Sequence, residues 1–131
     1  MEFLKVLAAA LGAFAFGAVW YTALSKPWIA AAGLAVDANG KPQGNGSAMP
    51  FVVGILAMIV VAGMMRHIFQ MSHIETLGAA AISGAGIGAF FVTPWLAMNY
   101  AFSMRKPALV FIDAGNVIAG CTIMGIILAL F

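Results

Sequence analysis

The sequence has very few charged side chains. Only 8% of its 131 residues are Asp, Glu, Lys or Arg, whereas ordinary soluble domains contain about 25%. Hydrophobic residues make up 64% of the chain, and the mean hydropathy is +1.07. A chain of this length has too much surface for its volume to hide so much apolar area from water. We therefore expect lipid to be the solvent for most of the chain.

Residues and motifs that carry common chemistry are also scarce. The one cysteine, Cys121, lies inside an apolar run, so an intramolecular disulfide is excluded. The sequence contains no zinc-ligand spacing, P-loop, HExxH or GxSxG pattern. The net charge of +2 and the pI of about 9.0 are too small an excess to indicate nucleic-acid binding. We expect no catalytic site, no cofactor and no nucleic-acid partner.

Four apolar segments are each close to the roughly 20 residues needed to cross a hydrocarbon core about 30 Å thick. A spanning segment must satisfy its backbone hydrogen bonds internally, and the period-2 alternation of a membrane barrel is absent. We therefore predict an all-α integral membrane protein with a single transmembrane domain over residues 1–131. The predicted helices cover residues 3–24, 50–70, 76–102 and 108–131.

The connections between these segments predict how the helices are arranged. Residues 25–49 form the only substantial loop, in which SKPWIAAAGL suits the interface and DANGKPQGNGS is typical of a solvated turn region. Lys26 and Trp28 are the predicted interfacial anchors. The connections RHIFQMSHIE and SMRKP are short, which favours an up-down-up-down four-helix bundle. Pro94 predicts a kink in the third helix.

The lysines and arginines predict an orientation. The positive-inside rule places the first and third loops in the cytoplasm and both termini outside. The first apolar segment is long and ends in Trp20 and Tyr21, so we expect a retained helix there, not a cleaved signal peptide. The basic residues of the predicted cytoplasmic side are Lys26, Lys41, Arg105 and Lys106, against Lys5 and Arg66 on the other side.

An acid inside the last apolar segment is the most unusual feature of the sequence. The stretch LVFIDAGNVIAGC, residues 109–121, places Asp113 and Asn116 among apolar side chains. In a helix that begins at Pro107, Asp113 would lie about 9 Å below the start at 1.5 Å per residue. Antiparallel connectivity brings the polar and aromatic ends of the first and third helices to the same leaflet. We therefore predict a buried polar cluster of Trp20, Tyr21, Asn99, Tyr100, Asp113 and Asn116.

Small residues at helical spacing lead towards this cluster on three helices. In lipid, such stripes let helix backbones approach closely, because packing replaces the hydrophobic effect as the driving force. If the stripes face one another, Asp113 is capped by Tyr21, Trp20 or Asn99. The stripes are Ala10, Ala13, Gly17 and Tyr21 on the first helix, Ala81, Gly84, Gly88, Val92, Trp95 and Asn99 on the third, and Asp113, Asn116, Gly120 and Met124 on the fourth.

Three roles for Asp113 are open from the sequence, one of which is contact with another subunit. An acid in an early turn is favoured by the helix dipole and by the nearby Arg105 and Lys106, which is a structural role. Ionisable residues within membrane segments are also functional candidates by default, so a ligand or proton site is the alternative.

A copper site is a further hypothesis, because thioethers and imidazoles suit Cu(I). Its residues would lie around the second loop, but no MxxM or CxxC arrangement converges there, and methionine commonly fills apolar gaps. We therefore expect no metal. The residues in question are Met64, Met65, His67, Met71 and His73.

At FGAVWYTAL and FIDAGNVIAG the sequence resembles a family of small bacterial four-helix membrane proteins, known as domain of unknown function seventeen sixty-one. The resemblance covers nearly the whole chain, although the middle two helices match only in hydropathy. Thr22 and Ala23 stand where the family often has Ser-Pro. The resemblance implies a four-helix fold in the bacterial inner membrane and no particular activity. The residues that carry it are Gly17, Trp20 and Tyr21, then Lys26, Trp28 and Gly33, and finally Asp113.

Short loops, small size and the lack of a catalytic set together favour a non-catalytic role. We expect an accessory or scaffolding subunit of a larger membrane complex, or a homo-oligomer, with the lipid bilayer and a membrane protein as partners. The alternative is a small proton- or cation-coupled transporter that uses Asp113.

Overall fold

Helices account for most of the computed structural model, which describes residues 1–43 and 46–131. Across these residues there is no strand, only an isolated antiparallel bridge between Val36 and Pro42. The predicted all-α class is therefore confirmed. The elements are α1 (Glu2–Ala23), α2 (Ser25–Ala32), α3 (Met49–Met71), α4 (Leu77–Gly86), a π-helical turn (Ile87–Val92), α5 (Thr93–Phe102) and α6 (Pro107–Leu130).

Among the described residues, four helical segments are long and apolar enough to cross a membrane. Three of them are α1, α3 and α6. The other is the continuous segment Leu77–Phe102, here called the third span, which consists of α4, the π-helical turn and α5. The ends of the four segments differ from the predicted ends by at most one residue. The additional helix, α2, lies in the first loop. It falls within SKPWIAAAGL, the segment that the sequence predicts to lie along the membrane interface.

Local sequence signals fix where the spans begin. Pro50 is the second residue of α3, and Pro107 is the first residue of α6. Proline suits the first turn of a helix because a backbone N–H at that position would have no partner within the helix. The third span begins after Thr76, whose Oγ1 accepts a hydrogen bond from the backbone N–H of Ala79 at 3.2 Å.

Residues with a left-handed backbone conformation follow the ends of two of the spans. α3 ends before His73 (φ 52°) and the third span before Met104 (φ 57°). After Met104 the backbone N–H of Arg105 donates to the carbonyl of Tyr100 at 2.8 Å, which closes the helix in a Schellman pattern. Glycine is the usual residue at such a position because a Cβ atom strains the left-handed backbone. The same geometry at the end of α2 is occupied by Gly33 (φ 69°).

α6 packs antiparallel to α1 along most of its length. Gly17 of α1 lies against Asn116, and Gly12, earlier in α1, lies against Ile127 near the end of α6. α3 packs antiparallel on α1 as well, since the ion pair between Arg66 and Glu2 joins the end of one helix to the start of the other.

On its other side α6 packs antiparallel to the third span, and here backbone meets backbone. A Cβ atom added at Gly84 would overlap the carbonyl group of Cys121, and one added at Gly88 would lie 2.7 Å from the Cα of Ile118. The two glycines therefore allow a helix separation that any larger residue would prevent. Successive spans alternate in direction, and α6 lies between α1 and the third span.

The apolar core occupies one half of the spans. It is formed mainly by α1, α3 and α6, while the opposite half contains Asp113. In that opposite half the first turns of α3 are exposed, with Phe51 at 64% and Val53 at 55%. The core residues are Val6, Ala9, Ala10, Ala13, Ala62, Met65, Phe69, Ala80, Cys121, Met124 and Leu128.

Gly84 and Gly86 provide a matched test of the close approach. We expect Gly84→Ala to lower the free energy of unfolding by about 2 kcal/mol, because the methyl group has no space against α6. Gly86 has no atom within 4 Å of an added Cβ. Gly86→Ala should therefore be neutral or stabilising by up to about 1 kcal/mol, as expected for alanine in a helix. Denaturant titration of the purified protein in mixed micelles measures both, and equal effects would contradict the packing described.

Met104 tests the end of the third span. Its side chain is 91% exposed, so glycine at this position loses no packing. We expect Met104→Gly to raise the free energy of unfolding by about 0.5–1 kcal/mol by removing left-handed strain. Gly33→Ala should instead lower the free energy of unfolding in the same micelle titration. A loss of stability in Met104→Gly would show that the strained turn is not present.

Candidate functional site

Asp113 lies in the second turn of α6, six residues after Pro107. At 1.5 Å per residue this places it about 9 Å from the start of the helix. Its side chain is partly buried between α1 and the third span. A carboxylate that is partly removed from water is stabilised by hydrogen-bond donors from the protein.

Two tyrosine hydroxyl groups supply those donors. The Tyr21 hydroxyl of α1 donates to Oδ1 of Asp113 at 2.6 Å. The Tyr100 hydroxyl of α5 donates to Oδ2 at 2.6 Å. Both distances fall in the range of hydrogen bonds to an ionised oxygen. The chain has only two tyrosines, and both bind this carboxylate. One side chain of α6 is thereby joined to two other spans.

Trp20 makes a separate hydrogen bond to the same turn of α6. Its indole Nε1–H donates to the backbone carbonyl of Ile112 at 2.9 Å. The ring can approach because residue 115 is glycine, where an added Cβ would lie 2.5 Å from the indole. Phe16, one turn earlier on α1, stacks on Trp20 with ring centroids 5.7 Å apart. The Trp20–Tyr21 pair therefore binds α6 through two adjacent residues, Ile112 and Asp113.

The short helix α2 is held close to this cluster. Trp28 packs edge-on against Tyr21, with ring centroids 5.7 Å apart and an interplanar angle of 69°. The Lys106 Nζ donates to the carbonyl of Ala30 near the end of α2 at 3.1 Å. Lys26, the other predicted anchor, is exposed. Trp28 thus contacts the cluster directly, whereas Lys26 does not contribute to it.

Asn116 lies one turn deeper than Asp113 and faces α1. An added Cβ at Gly17 would lie 3.3 Å from its Oδ1. This oxygen is buried and has no hydrogen-bond partner among the residues that the structure describes. A buried acceptor without a donor costs stability, so Asn116 is the one member of the cluster whose hydrogen bonding is incomplete.

Asn99 does not join the cluster, contrary to the prediction. Its side chain is exposed, and so is that of Trp95. The cause is the π-helical turn, which adds one residue to the span and shifts all later positions by one. The Thr93 hydroxyl donates to the carbonyl of Gly88, five residues earlier, at 2.8 Å. Tyr100 therefore takes the place that a regular helix would give to Asn99.

The remaining cluster members meet, although less deeply than predicted. Trp20, Tyr21, Tyr100, Asp113 and Asn116 are all partly buried, and across residues 1–43 and 46–131 no polar side chain is fully buried. Of the three caps proposed for Asp113, Tyr21 binds the carboxylate and Trp20 binds the adjacent carbonyl. The second cap is Tyr100, which the helical spacing alone did not select.

The histidines and methionines of the copper hypothesis lie at the other end of the spans from Asp113. His67 and His73 are exposed, and Met65 is 2% exposed within the apolar core. No group of three His, Cys, Asp or Glu side chains that could hold a metal ion is found in the described part of the chain. In the described part of the chain, the predicted polar residues therefore come together around Asp113.

A double-mutant cycle tests the two tyrosine contacts. We expect Tyr21→Phe and Tyr100→Phe each to lower the free energy of unfolding by about 1 kcal/mol, the order found for hydrogen bonds inside membrane proteins. In an Asp113→Ala background the same substitutions should cost much less, because the hydroxyl then has no acceptor. Asn99→Ala is the control and should be neutral. Equal costs with and without Asp113 would contradict the hydrogen bonds.

Comparison with known proteins places the chain in a family. No curated protein and no solved structure matches it. The family model described as protein of unknown function (DUF1761) matches residues 4–129, which is nearly the whole chain. The resemblance noted in the sequence is thereby confirmed, and the chain belongs to the DUF1761 family.

Proposed function

We propose that the protein is a non-catalytic integral membrane protein that acts as an accessory or scaffolding subunit of a larger membrane complex or of a homo-oligomer. The observation that supports this most directly is the use of Asp113. Each of its carboxylate oxygens accepts a hydrogen bond from a tyrosine of the same chain. A carboxylate with this arrangement holds three spans together, which is a structural role.

The outer surface of the third span supports the same proposal. Large side chains there face away from the rest of the chain and are free to contact lipid or another membrane protein. A rigid arrangement of the spans would hold such a surface in a fixed shape, which is what an accessory subunit requires. The exposed aromatic residues of the span are Phe90, Phe91, Trp95 and Phe102.

For the location we propose the bacterial inner membrane, as the family resemblance implies. The four basic residues of the first and third loops, against Lys5 and Arg66 on the other side, favour cytoplasmic loops and external termini. Cysteine accessibility to a membrane-impermeant reagent, with single cysteines placed in either loop of a Cys121→Ala background, tests this orientation.

A second candidate function is a small proton- or cation-coupled transporter. The observation that favours it is Asn116, whose Oδ1 is buried without a partner among the described residues, one turn from Asp113. An amide oxygen and a carboxylate in adjacent turns are oxygen ligands that a cation could use.

Affinity purification in mild detergent, followed by native mass measurement, tests the subunit role. We expect a species heavier than the 13.6-kDa chain, either with an identifiable membrane protein or as a homo-oligomer. Recovery of the monomer alone, from mild detergent and from nanodiscs, would contradict the proposal.

Reconstituted vesicles separate the two candidates. For the subunit role, we expect wild type, Asp113→Asn and the matched control Asp37→Asn to show the same background uptake of protons and monovalent cations. Asp37 is the other aspartate of the chain and is exposed in the first loop. Uptake that Asp113→Asn abolishes and Asp37→Asn preserves would instead support transport.

A further inference from the structure

A second polar site lies at the other end of the spans from Asp113. α1 begins there, α3 and α6 end there, and the third span begins there. An open pocket of about 460 Å³ lies between the last turns of α3 and α6 and the second loop. This volume is in the range of pockets that hold small organic ligands.

The pocket has a polar and an apolar part. Its polar lining consists of Arg66, Gln70, His73 and Glu75. Its apolar lining includes Phe69 and Leu128, which also belong to the apolar core, and Ile74, which packs against it. Because the pocket lies where the spans end, the polar part is at the level of lipid headgroups and the apolar part faces the hydrocarbon.

The left-handed turn at His73 creates this arrangement. The N–H of Ile74 donates to the carbonyl of Phe69 at 2.9 Å, which closes α3 and folds Ile74 back onto the core. Glu75 follows directly, so the acid of the second loop is brought to the same pocket as Arg66 on the last turns of α3. A positive and a negative group therefore line one pocket.

The charges around the pocket sum to zero. Arg66 pairs with Glu2, and Glu2 also pairs with Lys5 at 3.3 Å. With Glu75 the set contains two acids and two bases, with His73 counted as neutral. Such a set gives no net attraction for an anion. It fits a ligand that carries one charge of each sign.

We propose that this pocket binds the headgroup of a phospholipid whose headgroup ends in a primary ammonium. The guanidinium of Arg66 has five N–H donors, and those not directed at Glu2 bind the phosphate, which guanidinium groups recognise well. Glu75 accepts a hydrogen bond from the ammonium. The glycerol and acyl portions lie against Phe69, Ile74 and Leu128. A quaternary ammonium has no N–H to donate, so a choline lipid lacks the contact with Glu75. This binding is independent of the proposed subunit role.

The test uses the full chain in mild detergent with native mass measurement of bound lipid. Phosphatidylethanolamine, phosphatidylcholine and phosphatidylglycerol of the same acyl composition are added at equal concentration. We expect phosphatidylethanolamine to bind about tenfold more tightly than phosphatidylcholine, as for one charge-assisted hydrogen bond. Preference for phosphatidylglycerol, or equal binding of all three lipids, would overturn the proposal.

Glu75→Gln provides the decisive variant because it keeps the shape of the side chain. We expect this substitution to weaken the binding of phosphatidylethanolamine by about tenfold and to leave the binding of phosphatidylcholine unchanged. Asp37→Asn should change the binding of neither lipid. An equal loss for both lipids would indicate a structural effect and would contradict the assigned contact.

Two further measurements address the phosphate and the source of the headgroup. Arg66→Gln should weaken the binding of both phosphatidylethanolamine and phosphatidylcholine. If that variant does not fold, Glu75→Gln still decides the assignment. Soluble glycerophosphoethanolamine should not compete at concentrations equal to the lipid, because it lacks the acyl chains. Equal competition would show that the pocket takes a free solute and would overturn the assignment to lipid.

Discussion

A carboxylate inside a membrane span must be provided with hydrogen-bond donors, and the architecture of this protein depends on that requirement. An aspartate inside an inserted helix costs up to about 2.5–3.5 kcal/mol, the value at the helix centre. Here Asp113 receives one hydroxyl from α1 and one from the third span. The donors are available only if both helices lie beside α6 in the correct register. The need to stabilise this one carboxylate therefore constrains the relative positions of α1, α6 and the third span.

The two halves of the spans are held by different interactions. In the half with the apolar core, helices approach until backbones touch, as at Gly84 and Cys121. This contact relies on shape, since lipid competes equally for apolar surface. In the other half, directional hydrogen bonds from Trp20, Tyr21 and Tyr100 add to close contacts such as that of Trp20 with Gly115. α6 takes part in both kinds of interaction, and in both it contacts α1 on one side and the third span on the other.

Hydropathy and connectivity predicted the helices and placed Tyr21 among three candidate caps for Asp113, because membrane thickness sets helix length and antiparallel order sets which ends meet. They did not predict Tyr100 as the second donor. The π-helical turn shifts the register by one residue, and its stability depends on local contacts such as that of Thr93 with Gly88. Nor did they predict the pocket at Glu75, which depends on a left-handed turn at a histidine, where glycine would be the usual signal.

The binding of Asp113 by both tyrosines has a consequence for spectroscopy. Since the chain contains no other tyrosine, the whole phenol absorption of the protein arises at one carboxylate. Trp20 lies beside the same turn of α6, where its indole donates to the carbonyl of Ile112. The tyrosine signal of the unlabelled protein therefore reports on the surroundings of its own intramembrane acid.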